Sequence, residues 1–438
     1  MTLAAAAEVT YQTVPLPQQI AIDPSGKQAL LIKGQAVTYP AGNDKMKSTA
    51  ELAGKYLSLT PQEADKKAVP GVQLSLGLKS ENPEAYLITV DKKGIRIQGA
   101  SESGVFYGVQ TLRKSVMEEK GDTIRLPYAT VSDEPRFGYR GTMLDCARHF
   151  FPVSFVKEFI DILALHGVNR FHWHLTDDQG WRFEVKSLPE LAVKGSVRPY
   201  TVVGKNIGVD NAAGAIYDDT PETGYYTQEE MKEIVRYAEE RFITIVPEID
   251  LPGHMIAALS VYPELGCTGG PYNVWCRWGI AQDVLCAGNP KTLDFLHKVM
   301  DEVCEVFPGK LIHIGGDESP RNRWKACPKC QKKMKELGLK KEAELQTYIN
   351  KDIEAYLAAK GREIIGWDET LEGGLSEKAS VMSWRGYKGG IEAARQHHHV
   401  VMSPTNHCYI DYYQLKNHDA QPLAIGGYLP VSTVYSME

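Results

Sequence analysis

Between residues 139 and 404 the hydrophobic pattern switches repeatedly between two periods. Short, almost continuously apolar runs recur as YRGTMLD, RFHWHLT, ITIVPEID, LIHIGGD, EIIGWDE, SVMSWRG and HVVMSP. Between them lie longer stretches with apolar residues three and four apart, among them SFVKEFIDILALHG, TQEEMKEIVRYAEERF, KTLDFLHKVMDEVCEVF and AELQTYINKDIEAYLAAKG. Apolar runs of strand length suit a sheet buried on both faces, and an amphipathic helix after each returns the chain for a parallel neighbour. Seven such units predict a (β/α) barrel of the TIM type, apparently lacking its eighth strand, rather than an open doubly wound sheet. No G-x-G-x-x-G follows a strand to support a dinucleotide fold.

The texture before this region is different. Strand-like AYLITVD and IRIQGA are joined by KKG, and SESGVFYGVQTLRKSV then begins with Ser101 at a predicted N-cap and continues at helical spacing. This predicts a small α+β domain. The acidic, Pro-containing VSDEPRFG (131–138) marks the boundary, so the expected domains are 1–134 and 135–438.

Composition narrows the function classes. The 438 residues carry a net charge of -6 and are 43% hydrophobic and 24% charged. No basic excess points to nucleic acid, and no apolar run reaches the roughly 20 residues of a membrane span. MTLAAAAEV has no basic flank and too short an apolar run for a signal peptide. A removed leader would leave the same start, and export to a periplasmic or extracellular space is the expectation. The eight cysteines are too few for a disulfide scaffold in this length. A Cys267–Cys286 bridge is one option. Cys327 and Cys330 in ACPKCQ have zinc-like spacing, but four ligands are needed and no second pair follows, so free thiols or a local disulfide are expected there.

The strand ends change the picture. Asp145 and Arg148 follow the first strand, Asp177 and Asp178 the second, and Glu248, Asp250 and His254 the third. Asp317-Glu318 follow the fourth, Trp367-Asp368-Glu369 the fifth, Trp384-Arg385 the sixth, and Tyr409 and Asp411 the seventh. In parallel barrels these ends converge on the active site. Acids interleaved with Trp and Tyr suit a carbohydrate, whose ring faces pack on aromatics while its hydroxyls bond carboxylates and Arg. Adjacent residues at a strand end point to different sides, so Asp317 and Glu318 are poorly placed as a facing acid and nucleophile on one anomeric carbon. One can instead serve as general acid while its neighbour holds a nucleophile supplied by the substrate, as a 2-acetamido group can be.

RGTMLDCARHFFP, HWHLTDDQGWR, PEIDLPGH, HIGGDE, IGWDE and MSWRG together resemble, in order, the motifs of β-N-acetylhexosaminidases of glycoside hydrolase family 20. The resemblance runs from about residue 85 to about 412. It implies retaining, substrate-assisted removal of terminal β-linked GlcNAc or GalNAc through an oxazolinium ion, without cofactor or metal. By position it implies Glu318 as acid/base and Asp317 as the carboxylate orienting the acetamido group. Tyr409 would bond the acetamido oxygen, Trp367 and Trp384 would wall its methyl, and Arg148 and Asp411 would bind ring hydroxyls. Asp177 and His254 would form a relay to Glu318. Blander roles are open to some of them: Arg148 neutralising Asp145, His254 starting a helix, and Trp275 and Trp278 packing a loop rather than lining the aglycone side.

Two other functions are possible on this scaffold. His172 and His174 in HWH share one side of a strand, as in metal-dependent barrel hydrolases, but the later strand ends add no His pair. A non-catalytic sugar-binding barrel would not need intact Asp317 and Glu318. The family pattern also continues beyond Asp411 with an eighth strand, a further Trp and a Glu that have no counterpart in GYLPVSTVYSME. The expectation is weaker activity and lower monomer stability than in a form carrying that segment.

Overall fold

The computed structural model describes residues 9–64, 71–117, 119, 121–204, 215–374, 376 and 378–437. MTLAAAAEV therefore lies, except for Val9, outside the described residues. The described chain forms two compact units, one of residues 1–142, 154–171 and 234–244, the other of residues 143–153, 172–233 and 245–438.

In the first unit, a seven-stranded mixed sheet runs in the order Gln19–Ile22, Ala129–Asp133, Tyr86–Asp91, Gly94–Gly99, Val72–Leu76, Ala36–Tyr39, Thr60–Glu63. The two runs joined by KKG are the antiparallel pair Tyr86–Asp91 and Gly94–Gly99, whose alternate residues are buried. The helix Glu102–Val116 follows, with Ser101 at its N-cap position. The expected capping bond is not made: the Ser101 hydroxyl donates to the Pro83 carbonyl at 2.6 Å instead. A second helix, Asp44–Leu57, is capped by Asn43, whose side chain accepts from the Met46 N–H.

All seven predicted barrel strands form: β1 Gly141–Asp145, β2 Arg170–Asp177, β3 Thr244–Ile249, β4 Leu311–His313, β5 Glu363–Trp367, β6 Ser380–Ser383 and β7 Val400–Met402. They lie in chain order in one sheet, with β1 and β7 at its edges and a short Gly180–Trp181 strand beside β2. The pairs from β3 onward are parallel. The connecting helices include α1 Val153–Leu165, α2 Gln228–Glu239, α3 Pro290–Val306, α4 Pro328–Leu337, α5 Ala343–Ala359 and α6 Tyr387–Arg395. α2 starts in a capping box, in which the Thr227 hydroxyl accepts from Glu230 N–H while the Glu230 carboxylate accepts from Thr227 N–H. Asn289 caps α3 ahead of Pro290 at its first turn.

Burial explains the continuous apolar runs. Every residue from Phe171 to Asp177 is buried, so β2 presents Phe171, Trp173 and Leu175 to one side and His172, His174 and Thr176 to the other. Val246, Ile365, Trp367 and Met382 form an apolar cluster, with Trp384 packed against it.

Candidate active site

The fourth strand hands its chain to the site through two glycines. Gly315 (φ 62) and Gly316 (φ 96) both lie in the left-handed region, and a Cβ on Gly315 would sit 1.8 Å from Asp250 Oδ1. That carboxylate accepts the Gly316 N–H at 3.0 Å. The turn is therefore locked against the end of β3, and only glycine fits it. Ladder-like bonds hold both flanks, from Leu251 N–H to the Ile314 carbonyl and from Trp367 N–H to the Gly315 carbonyl. The next residues to leave the turn are Asp317 and Glu318. Glu318 itself has φ 45, a conformation costly for a residue with a side chain and tolerated where the surroundings enforce it.

Facing these two acids is His254, fully buried and also at positive φ (51). Its Nδ1 lies 3.0 Å from Asp177 Oδ1 and 3.3 Å from Asp178 Oδ2. Its Nε2 points between Asp317 Oδ2 at 3.6 Å and Glu318 Oε2 at 3.7 Å and has no hydrogen-bond partner. Burial opposes a charge on His254, but Asp177 and then Asp317 outweigh it and hold its pKa well above the ordinary value. Burial likewise opposes charge on Asp177, yet Arg148 and His254 prevail and keep it ionised. Glu318 is pushed up by burial and by the Asp317 charge. Two carboxylates one residue apart thus have different tasks open to them: one favours its protonated form, and the other presents Oδ1 buried with no partner.

Arg148 pairs with Asp177 at 2.7 Å and Asp145 at 2.8 Å, and its Nε–H donates to Gln179. It does neutralise Asp145, but it equally ties β1 to β2 beside the acid pair. Beside it Glu248, on β3, gathers three side chains from two other strands: His172 at 2.6 Å and His174 at 2.5 Å from β2, and the Trp367 indole N–H at 3.0 Å from β5. His313 stacks on His172 with ring centroids 4.4 Å apart. The HWH motif is thereby absorbed in a buried carboxylate hub, and burial drops His172 to about 4, leaving a neutral ring. His172, Glu248 and His313 lie close enough together to hold a metal, yet the Glu248 oxygens are already committed to the two His rings and the indole.

On the opposite side Trp384 and Tyr409 stack at 6.2 Å and 23°. The Trp384 indole N–H donates to Glu369 Oε2 at 2.9 Å, and burial raises Glu369 to about 7.

A model described as the glycosyl hydrolase family 20 catalytic domain matches residues 137–438, and one described as its domain 2 matches residues 10–134. The chain belongs to glycosyl hydrolase family 20. A beta-hexosaminidase of Porphyromonas gingivalis is 44% identical over 90% of the chain and 49% of its own length, and one of Vibrio furnissii is 39% identical over 81% and 57%. The chain thus spans about half the length of the curated relatives it matches. The structure of a Streptomyces plicatus N-acetyl-beta-hexosaminidase in complex with thio-NAglucal superposes with TM-score 0.82 at 28% identity, covering all of this chain and 82% of that one. A Bacteroides fragilis beta-N-acetylhexosaminidase gives 0.77 at 29%, covering 95% and 85%.

Against the family 20 expectation, the structure gathers Arg148, Asp177, His254, Asp317 and Glu318 into one network, and Trp367, Trp384 and Tyr409 into one aromatic cluster. His254 ends midway between the two acids rather than on Glu318 alone. Asp411 is exposed as a residue, but its carboxyl group is partly desolvated by its neighbours, which raises its pKa, and Asp145 nearby adds to the rise. Trp275 and Trp278 lie in the 267–286 loop, where Trp275 N–H donates to the Asp178 carbonyl and the Trp278 indole to the Gly204 carbonyl. Sequence reasoning gave no role to Asp178, Glu248, Asp250 and Glu369. Asp178 accepts from Ile256 and Ala281 N–H and ties two loops to β2. Their only sequence signal was their place at strand ends.

Proposed function

We propose that this chain removes a terminal β-linked N-acetylhexosamine from a glycan, with retention and with the substrate's acetamido group as nucleophile. The observation that carries the reading is Asp317 Oδ1: a buried carboxylate oxygen without a partner, next to an acid whose pKa is raised. An acetamide N–H supplies the missing donor. With that bond made, the carbonyl oxygen is turned toward C1 and attacks it while Glu318 protonates the departing oxygen. The C1–O bond breaks, a new C1–O bond closes the oxazolinium ring, and the Asp317 charge stabilises the positive nitrogen. Glu318, now ionised, takes a proton from the water that reopens the ring at C1, and it returns to its acid form.

Tyr409 O–H donates to the carbonyl oxygen and so polarises it. Trp367 and Trp384 enclose the methyl and exclude water. Arg148 and Asp411 bind ring hydroxyls, with one Arg148 Nη2 N–H left beyond the groups directed at Asp145, Asp177, Gln179 and His174. The relative solved with thio-NAglucal and another Streptomyces plicatus structure in complex with the product GlcNAc support this substrate class.

A 4-nitrophenyl 2-acetamido-β-glycoside tests the proposal. Cleavage that a thiazoline mimic of the oxazolinium blocks is the expected outcome. A covalent sugar adduct on Asp317 or Glu318 would refute substrate assistance, and binding of the glycoside without cleavage would favour the non-catalytic reading.

A further inference from the structure

Away from this chemistry, the fold collects four thiols that the sequence keeps apart. All eight cysteines are free, so the bridge left open between Cys267 and Cys286 is not formed, nor is one within ACPKCQ. Instead the sulfurs of Cys267, Cys286, Cys327 and Cys330 all lie within 4.8 Å of one another. The close contacts run across the two segments: Cys286 to Cys330 at 3.6 Å, Cys286 to Cys327 at 3.8 Å and Cys267 to Cys330 at 3.8 Å. Four sulfurs bound tetrahedrally at the usual zinc–thiolate length of about 2.3 Å stand about 3.8 Å apart. A pair of disulfides would instead draw two sulfurs to about 2.05 Å and separate the pairs.

We propose that Cys267, Cys286, Cys327 and Cys330 bind one zinc ion as a tetrahedral tetrathiolate site. The expectation of no metal rested on finding no second pair after Cys330; that pair precedes it and is delivered by the fold. Cys286, Cys327 and Cys330 are buried and Cys267 is partly covered, as in a closed structural site. Soft thiolates and a tetrahedral arrangement select zinc over the hard cations. Each pair is held by its own backbone. Gly266 bridges Leu285, and Cys286 N–H donates to the Leu265 carbonyl, which fixes the first two cysteines side by side. Cys327 occupies the N-cap position of α4 and Cys330 lies in its first turn, where the helix dipole favours thiolate. Gly288 fits between the pairs, since a Cβ there would lie 2.2 Å from the Lys329 backbone.

The ion would fasten the loop 267–286 to the segment that follows Glu318. The same two stretches are already joined by Trp324 indole N–H to the Leu285 carbonyl at 2.8 Å and by Arg323 to Asp283 at 2.7 Å. The loop also contacts Asp178, the neighbour of Asp177, through Trp275 and Ala281 N–H. The site is therefore a positioning device for the loops around the acids and not a part of the hydrolytic chemistry.

Metal analysis of the full chain, purified under reducing conditions with zinc supplied, decides the question. About one zinc per chain, with sulfur-only coordination at about 2.3 Å by X-ray absorption, is expected. Cys286→Ser and Cys330→Ser should each weaken zinc binding by at least about tenfold, while Cys304→Ser, outside the cluster, should retain it. Absence of zinc from the folded wild-type chain, or a Cys267–Cys286 or Cys327–Cys330 disulfide in a non-reduced peptide map, would overturn the site. If the serine variants do not fold, the wild-type stoichiometry and coordination still decide it.

Discussion

Asp317 and Glu318 flank the imidazole of His254 at 3.6 and 3.7 Å, yet the proposed mechanism gives them different tasks, and the residue scale is where that division can be measured. Glu318→Gln removes the proton donor while preserving shape, so kcat should fall by about 10²–10⁴ on an unactivated disaccharide. The loss should be smaller with a nitrophenolate leaving group that needs no protonation. Equal losses on both substrates would assign Glu318 another role. Asp317→Asn should lower kcat by about 10²–10³, the scale for removing one preorganised electrostatic contact. It also carries a sign. Burial raises the Glu318 pKa first and the Asp317 charge raises it further, so deleting that charge must lower it. Because the proposed mechanism uses the protonated form, the alkaline limb of kcat/KM should move to lower pH in Asp317→Asn. A limb that stays in place or moves upward would show that Asp317 does not act on Glu318 through its charge.

At the scale of elements, the Gly315-Gly316 turn is what aims the acids. Gly315→Ala puts a Cβ against Asp250 and a side chain into the left-handed region, so a loss of about 3 kcal/mol or more in urea unfolding is expected. Thr227→Ala opens the capping box of α2 at the other extreme, with an expected cost of about 1 kcal/mol and no change in kcat. The contrast also explains what was legible in the chain. The seven barrel strands could be read because apolar runs such as RFHWHLT are buried on both faces, and the acids at their ends could be read because parallel strands all discharge on one side. The helix Asp44–Leu57 was missed because its buried face is built largely from Thr49, Ala50, Ala53 and Gly54, small or polar residues that do not stand out as an apolar stripe. The Glu248 hub and the four-thiol cluster were missed for another reason. Each depends on partners from distant strands or loops, and no local pattern records that His172, His174 and Trp367 will meet one carboxylate, or that Cys267 will meet Cys330. Ser101 is the converse, a correct N-cap position whose hydroxyl is oriented to donate to the Pro83 carbonyl and accepts no N–H from the helix's first turn.

For the whole molecule, the same buried charges make stability a function of pH, and their signs do not all agree. Asp177 and Glu248 are held below the ordinary carboxylate range, against the pull of burial, by Arg148 and His254 in one case and by His174, His313 and His172 in the other. They stabilise the fold above the unfolded carboxylate pKa, and that contribution is lost as pH falls through their folded values. His254 is raised, so its contribution is complete below the unfolded histidine pKa of about 6.5 and is lost as pH climbs through its folded value. Asp250 runs the other way from Asp177. Burial first, and then the neighbouring Asp317, push it well above an ordinary aspartate. Its Oδ1 accepts the Gly316 N–H in the locked turn, while Oδ2 has no partner. Above about pH 3.9 the unfolded chain releases the Asp250 proton and the folded chain keeps it, so each further pH unit costs the fold about 1.4 kcal/mol until the folded value is reached. Asp250→Asn imitates the protonated acid, preserves the Oδ1 acceptor and cannot ionise. Urea unfolding of the two chains should therefore give a nearly constant difference below about pH 4. Above it, the variant should gain on the wild type by about 1.4 kcal/mol per pH unit, with the other titrating groups cancelling because both chains carry them. A gap that is flat between pH 4 and 7 would mean that Asp250 is ionised in the folded protein and that the Gly315-Gly316 turn is held by a charge rather than by a neutral acid.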